Sequence, residues 1–200
     1  THTGSSAASD VYKRQLSAIA AVNTSGTIKA TSAATVTGTA AEIIASFGNS
    51  TITEATNVAI TVNSGTASLS QARTIDGYTT GVVTATIADT RVSDLVGDSP
   101  LLDANGNNAF TVTIGTADAE ITAANLTTLN GLTSVAIEAG NVTKITGTVS
   151  ATNTVYAAAG NSQINGLGNE AVELTDTRVL AADLKTCLLY TSDAADEPVC

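Results

Sequence analysis

The chain has 200 residues with 18 acidic against 8 basic side chains, a formal net charge of -10 at pH 7, one His, two Cys and no Met or Trp. So acidic a surface disfavours nucleic acid and anionic membranes, and no apolar run approaches the roughly 18–20 residues that cross a bilayer. Charged residues make up only 13% of the chain and β-branched ones are abundant, so it can bury apolar surface along its length and is expected to fold.

Taken in chain order, Ser5–Gln15 (SSAASDVYKRQ) comes first and Cys187–Glu197 (CLLYTSDAADE) mirrors it at the far end. Back-translated, with the third base of Thr186 leading the second segment, the two resemble the two strands of one sequencing-library adapter, reverse complements over their whole length. Residues 1–15 and 186–200 are therefore identified as translated adapter and expected to be disordered. Residues 16–185 are expected to be an internal fragment of a longer chain. Both cysteines and His2 then fall in the excluded ends, and a Cys187–Cys200 disulfide carries no meaning. Zinc sites, thiol nucleophiles and His-based triads lose their residues in the remainder.

Within residues 16–185 the chain repeats itself, and a period constrains the fold more firmly than local propensity. Ile28–Gly48 lies on Ile137–Ala157 without a gap at an offset of 109. Val36 meets Ile145, Thr37-Gly38-Thr39 meets Thr146-Gly147-Thr148, and Phe47 meets Tyr156. Asn49–Val62 then lies on Asn161–Leu174 at an offset of 112. The two offsets define a large repeating unit of about 110 residues. A smaller unit of about 25 residues recurs inside it: alternating apolar segment, Ser/Thr/Asp cluster, helical segment, then Asp-Gly or Asn-Gly.

The alternation at Thr84–Ile87 and Ala171–Leu174 predicts strands with one buried face. Each is followed by the same four letters, Asp89-Thr90-Arg91-Val92 and Asp176-Thr177-Arg178-Val179, with Asp89 and Asp176 expected to cap the helical turns after them. The clearest predicted helix is Asp118–Leu129, apolar at Ile121, Leu126 and Leu129. Helix ends are expected at Asp76-Gly77, Asn130-Gly131 and Asn165-Gly166, where Gly or Asn takes the left-handed conformation. Strand anchors fall at Val62, Ile87, Ile114, Ile137 and Leu174, with a further candidate strand at Val142–Thr148. Phe47 and Tyr156 are expected to be core anchors.

Strand, short helix, turn and strand again, repeated at the spacing of the smaller unit, predicts an α/β repeat, a solenoid of short parallel β-strands alternating with short helices. The rival is an all-β tandem array of Ig-like sandwiches, which Thr/Val/Gly-rich strands and the length of the large unit also suit. Capped helical stretches between consecutive strands favour the solenoid.

The phrases Thr146-Gly147-Thr148 and Gly166-Leu167-Gly168-Asn169-Glu170-Ala171-Val172, in so Thr/Ala/Gly/Asn-rich a chain, resemble the repeat arrays of very large bacterial surface or secreted proteins, including marine and cyanobacterial ones. The resemblance implies an extracellular or cell-surface, structural or adhesive segment without catalysis. Its partners would be neighbouring repeats of the parent chain and cell-surface or matrix components, without nucleic acid and without membrane insertion. The calcium-binding glycine-rich nonapeptides of many such proteins do not occur here.

Calcium is nevertheless the one cofactor worth testing. Asp103, Asn105 and Asn107 alternate as in the opening of an EF-hand loop, but the sixth position is Asn108 and the twelfth Ile114, where such a loop needs Gly and Glu. A surface turn is the plainer reading. A calcium-stabilised ligand-binding module is the alternative function. A second alternative, a carbohydrate-active β-helix enzyme fragment, requires two carboxylates converging in a cleft, and the chain is poor in the aromatic platforms that hold sugars. No catalytic and no cofactor-binding residue is assigned. Arg91 and Arg178 recur either as clamps on a neighbouring carboxylate or as parts of a solvated face.

Overall fold

The computed structural model describes residues 26–98, 100, 101 and 107–184. Both adapter-like ends, with His2, Cys187 and Cys200, and the loop residues Asp103 and Asn105 lie outside the described residues. The described residues divide into two compact units, one comprising 26–88 with 101 and 107–110, the other 89–98, 100 and 111–184.

The first unit runs β1 (Ile28–Ala30), β2 (Thr35–Gly38), α1 (Ala40–Phe47), β3 (Ile52–Glu54), β4 (Ala59–Val62), α2 (Leu69–Asp76), β5 (Val83–Thr86) and the start of β6 (Ala109–Thr111). β1 pairs with β3 in parallel, Ile28 level with Ile52, and β2 with β4, Thr35 level with Ala59. β4 also pairs in parallel with β5, Ile60 level with Val83, inside a four-stranded sheet ordered β2-β4-β5-β6. Parallel neighbours need a crossover, and the short helices supply it.

Side chains alternate as a half-buried strand requires: Val83 and Ala85 point into the core while Thr84 and Thr86 are exposed. Both helices of this unit begin in a capping box. The Thr39 hydroxyl accepts from the Glu42 N–H at 3.2 Å, and the Glu42 carboxylate accepts from the Thr39 N–H at 2.9 Å. Ser68 and Gln71 repeat the arrangement at 3.2 and 2.9 Å. Ile43 of α1 and Ile75 of α2 are fully buried with Ile60 of β4, each contributing about 1.5–3 kcal/mol of apolar burial.

Two expectations are corrected in this unit. Gly77 does end α2, but with right-handed dihedrals (φ -66°, ψ -12°), its N–H donating to the Arg73 carbonyl, so the helix closes by continuing its own ladder. Phe47 is not a core anchor. It lies half-buried at the end of α1, stacked on Tyr78 with ring centroids 5.2 Å apart and planes at 14°, an offset stack at the margin of the core.

The second unit runs α3 (Val92–Val96), a 3-10 turn (Thr116–Asp118), β7 (Glu120–Thr122), α4 (Ala123–Asn130), β8 (Ile137–Glu138), β9 (Lys144–Gly147), α5 (Val149–Gly160), β10 (Ile164–Asn165) and β11 (Ala171–Leu174). β8 pairs with β10 in parallel, Ile137 level with Ile164. β7, β9 and β11 form a parallel three-stranded sheet in which Glu120, Lys144 and Ala171 stand level. α4 packs against both α3 and α5, and Leu95, Leu126, Leu129, Ile145 and Tyr156 are buried.

The helix expected over Asp118–Leu129 starts later, because Glu120–Thr122 forms β7. Ile121 is buried level with Ile145 in the sheet, and the Thr122 hydroxyl accepts from the Asn125 N–H at 3.2 Å to begin α4. Ile114 is buried without lying in a strand, its neighbour Thr113 making a single parallel bridge to Glu138. Asn165-Gly166 ends a strand and not a helix. α5 closes at Asn161, and the left-handed position beyond it is taken by Ser162 (φ 57°).

The fold among the described residues is mixed α/β, with parallel sheets and short helices between the strands. The all-β sandwich expected as the alternative is not formed. Antiparallel neighbours can be joined by tight hairpins, whereas these parallel strands are joined through helices.

Candidate functional site

Of the proposed calcium ligands only Asn107 lies within the described residues, where it is exposed and engaged in an interaction. Its neighbour Asn108 is fully buried. Its side-chain carbonyl accepts from the Val83 N–H at 2.8 Å, and its amide nitrogen donates to the Asp76 carboxylate at 2.6 Å. Asp76 is itself buried at the end of α2. A buried polar group is tolerated when it is bonded on both sides, so Asn108 is a structural bracket holding its strand to β5.

Asp176 takes a different role from the one expected of it. The Asp176 carboxylate accepts from the N–H of Val149, the first residue of α5, at 2.7 Å. It thereby caps the helix 27 residues before it, not a turn after it. The register explains why: Gly147 is level with Leu174, so Asp176, two residues on, stands beside Val149. Asp118 does the same for α3, accepting from the Val92 N–H at 2.8 Å across 26 residues. The residue at the N-cap of α3 is Arg91, which makes no side-chain cap bond. The cap is supplied from the following strand–helix segment, where a carboxylate meets both the first N–H and the positive end of the helix dipole. Arg91 and Arg178 are exposed.

On the outer face of the second unit's sheet, Lys144 lies between two carboxylates, 2.7 Å from Glu173 and 3.5 Å from Glu120. The hydrogen bond from Lys144 and its charge hold the Glu173 carboxyl below the ordinary 4.5. The Lys144 ammonium is raised above 10.5, chiefly by its hydrogen bond to Glu173 and then by the charge of Glu120. In the core the Tyr156 hydroxyl donates to Glu170 Oε1, while the N–H groups of Gly168 and Asn169 donate to Oε2 at 2.7 and 3.1 Å. Glu170 thus ties α5 to the turn before β11.

An open depression on α5 is lined by Val149, Ser150, Asn153, Thr154, Ala157 and Asp183. Its hydroxyls and amide offer hydrogen bonding to a polar surface, and Asp183 is its one ionisable side chain. No group of three or more His, Cys, Asp or Glu side chains is placed to hold a metal ion among the described residues, and no described helix is long and apolar enough to cross a membrane.

The chain matches no protein-family model, no curated protein and no solved structure.

Proposed function

We propose that residues 16–185 are a segment of a repeat array, an α/β solenoid serving as a structural and adhesive stretch of an extracellular bacterial surface protein, with the flanks 1–15 and 186–200 derived from translated adapter. The observation that carries this reading is a correspondence of elements at the two offsets read from the sequence. β1, β2 and α1 begin at Ile28, Thr35 and Ala40, and β8, β9 and α5 begin at Ile137, Lys144 and Val149, in each case separated by the first offset. β3 and β4 begin at Ile52 and Ala59, and β10 and β11 at Ile164 and Ala171, separated by the second. The pairing matches too: Ile28 with Ile52 as Ile137 with Ile164, and Thr35 with Ala59 as Lys144 with Ala171. Thr39 and Thr148, the last letters of the two TGT phrases, each cap the helix that follows.

Stacked repeats of this kind draw stability from neighbour contacts and hold a fixed spacing along the chain, which suits a spacer better than a catalyst. Binding would then occur at low affinity per site on a repeated polar face. Partners are neighbouring repeats and surface or matrix components. Thermal melting of the purified chain in calcium and in chelator tests the passive role: the expected result is an unchanged midpoint. A rise of several degrees in calcium would replace this reading with the calcium-stabilised binding module, since a ligand that binds only the folded state raises its stability by mass action.

A further inference from the structure

Three Asn-Gly pairs occur in the chain, at Asn105-Gly106, Asn130-Gly131 and Asn165-Gly166, and the fold treats the two within the described residues in opposite ways. Asn130 is half-buried at the end of α4, and the Gly131 N–H donates to the carbonyls of Thr127 and Thr128 at 3.2 and 3.1 Å. The Gly131 nitrogen is therefore committed to the helix ladder. Asn165 and Gly166 are both exposed, and the Gly166 N–H makes no hydrogen bond among the described residues. The Asn165 side chain reaches across to Glu138, its Nδ2 donating to Oε1 at 2.9 Å.

We infer that Asn165-Gly166 is a site of spontaneous deamidation that cuts one of the bonds between the β8 and β10 segments. The Gly166 backbone nitrogen attacks the Asn165 side-chain carbonyl carbon, a five-membered succinimide closes, and the amide nitrogen leaves as ammonia. Water then opens the ring at either carbonyl, giving aspartate, or isoaspartate with one extra methylene in the backbone. Water is the only co-reactant, and the chain gains about one dalton.

The fold keeps this lability in place. Gly166 sits at φ +83°, and a Cβ built there would lie 2.7 Å from the Gly140 nitrogen and 2.8 Å from its Cα. No other residue fits, so the glycine that leaves the nitrogen open is required by the close approach of the two turns. After reaction the donor to Glu138 is gone and two carboxyls face each other across parallel strands, an arrangement that opposes the pairing. Isoaspartate in addition shifts the register after Asn165, and hence the path of the chain into β11. This inference stands apart from the proposed function, since it depends only on these two turns.

The test is incubation of the full chain, folded and in parallel denatured, in mildly alkaline buffer, with conversion at each Asn-Gly pair followed by peptide mass spectrometry. Asn165 is expected to convert in the folded chain within about tenfold of its denatured rate, and Asn130 to be slowed by a further factor of about tenfold or more by the need to open its helix. Equal protection of Asn165 and Asn130 in the folded chain overturns the assignment. Asn165→Gln, which keeps the amide and closes the ring far more slowly, should abolish the time-dependent mass gain in that peptide. Asn165→Asp should melt below Asn165→Gln, and equal melting would overturn the loss of the bond as a consequence.

Discussion

Replacing Asp176 or Asp118 by Ala removes a cap that no residue of the capped helix supplies at that N–H. For α5 the loss leaves the Val149 N–H, bonded at 2.7 Å in the intact protein, part-buried without its carboxylate. A lost helix cap costs about 0.5–2 kcal/mol, and the charged acceptor at the helix's positive end places Asp176→Ala at about 1–1.5 kcal/mol. Thr148 still accepts from Ala151 at 3.2 Å, so the first turn of α5 keeps one side-chain partner. α3 has no such reserve, because Arg91 offers no cap bond, and Asp118→Ala is expected to cost the more, about 1.5–2 kcal/mol. Urea unfolding measures this: the midpoint should fall at unchanged slope, and the thermal midpoint should fall by about 2–4 °C per kcal/mol for a chain of this size. Asp→Asn at either position keeps an acceptor and should recover most of the loss. If Asp→Ala and Asp→Asn both unfold with the parent, these carboxylates do not hold the preceding helix and the reasoning fails.

Three further outcomes are expected. Thr152 is fully buried with a hydroxyl that has no hydrogen-bond partner among the described residues; Thr152→Val keeps the shape and removes the unmet group, so it should raise stability by about 1–2 kcal/mol in the same assay. Gly81→Ala would bring a Cβ to 2.6 Å from the carbonyls of Asn57 and Val58, and the forced backbone shift should destabilise by about 1–3 kcal/mol, read as a lower melting midpoint. The Lys144 cluster sets a pH dependence of defined sign. Glu173 is held below 4.5, so its contribution is present at neutral pH and fades as pH falls through that lowered value. Lys144 is raised above 10.5, so its contribution is present below that and fades as pH rises through the raised value. The stability gap between parent and Lys144→Ala should therefore be widest between those limits and shrink in high salt, and a gap unchanged at either pH extreme would contradict the pairing.

What could be read from residues alone was whatever is local. The candidate strand Val142–Thr148 contains β9, Lys144–Gly147, and Ala171–Leu174 reads as a strand because its alternation spans the whole element. β7 was hidden because it is three residues long and runs straight into α4; over so short a stretch, Ile121 fits a helical stripe as well as a strand face. Asp176 could be recognised as a cap but not assigned to its helix, and Asp118 read only as the start of a helix, since each partner is fixed by contacts across 27 and 26 residues. Asn108 gave no signal at all, as nothing near it in sequence shows that its partners are Val83 and Asp76. The pairing of Phe47 with Tyr156 failed in part, because Phe47 meets an aromatic neighbour, Tyr78, and stays at the margin.

The backward direction of the two carboxylate caps bears on how the chain acquires its structure. The N–H of Val92 waits for Asp118 and that of Val149 for Asp176, each supplied from further along the chain. A ribosome delivers residues in one direction only, so each of these helices emerges unfinished and is completed when 26 or 27 more residues have followed. Completion of these two helices during synthesis would then lag their own emergence by 26 and 27 residues, with later chain acting as the clasp of an earlier helix.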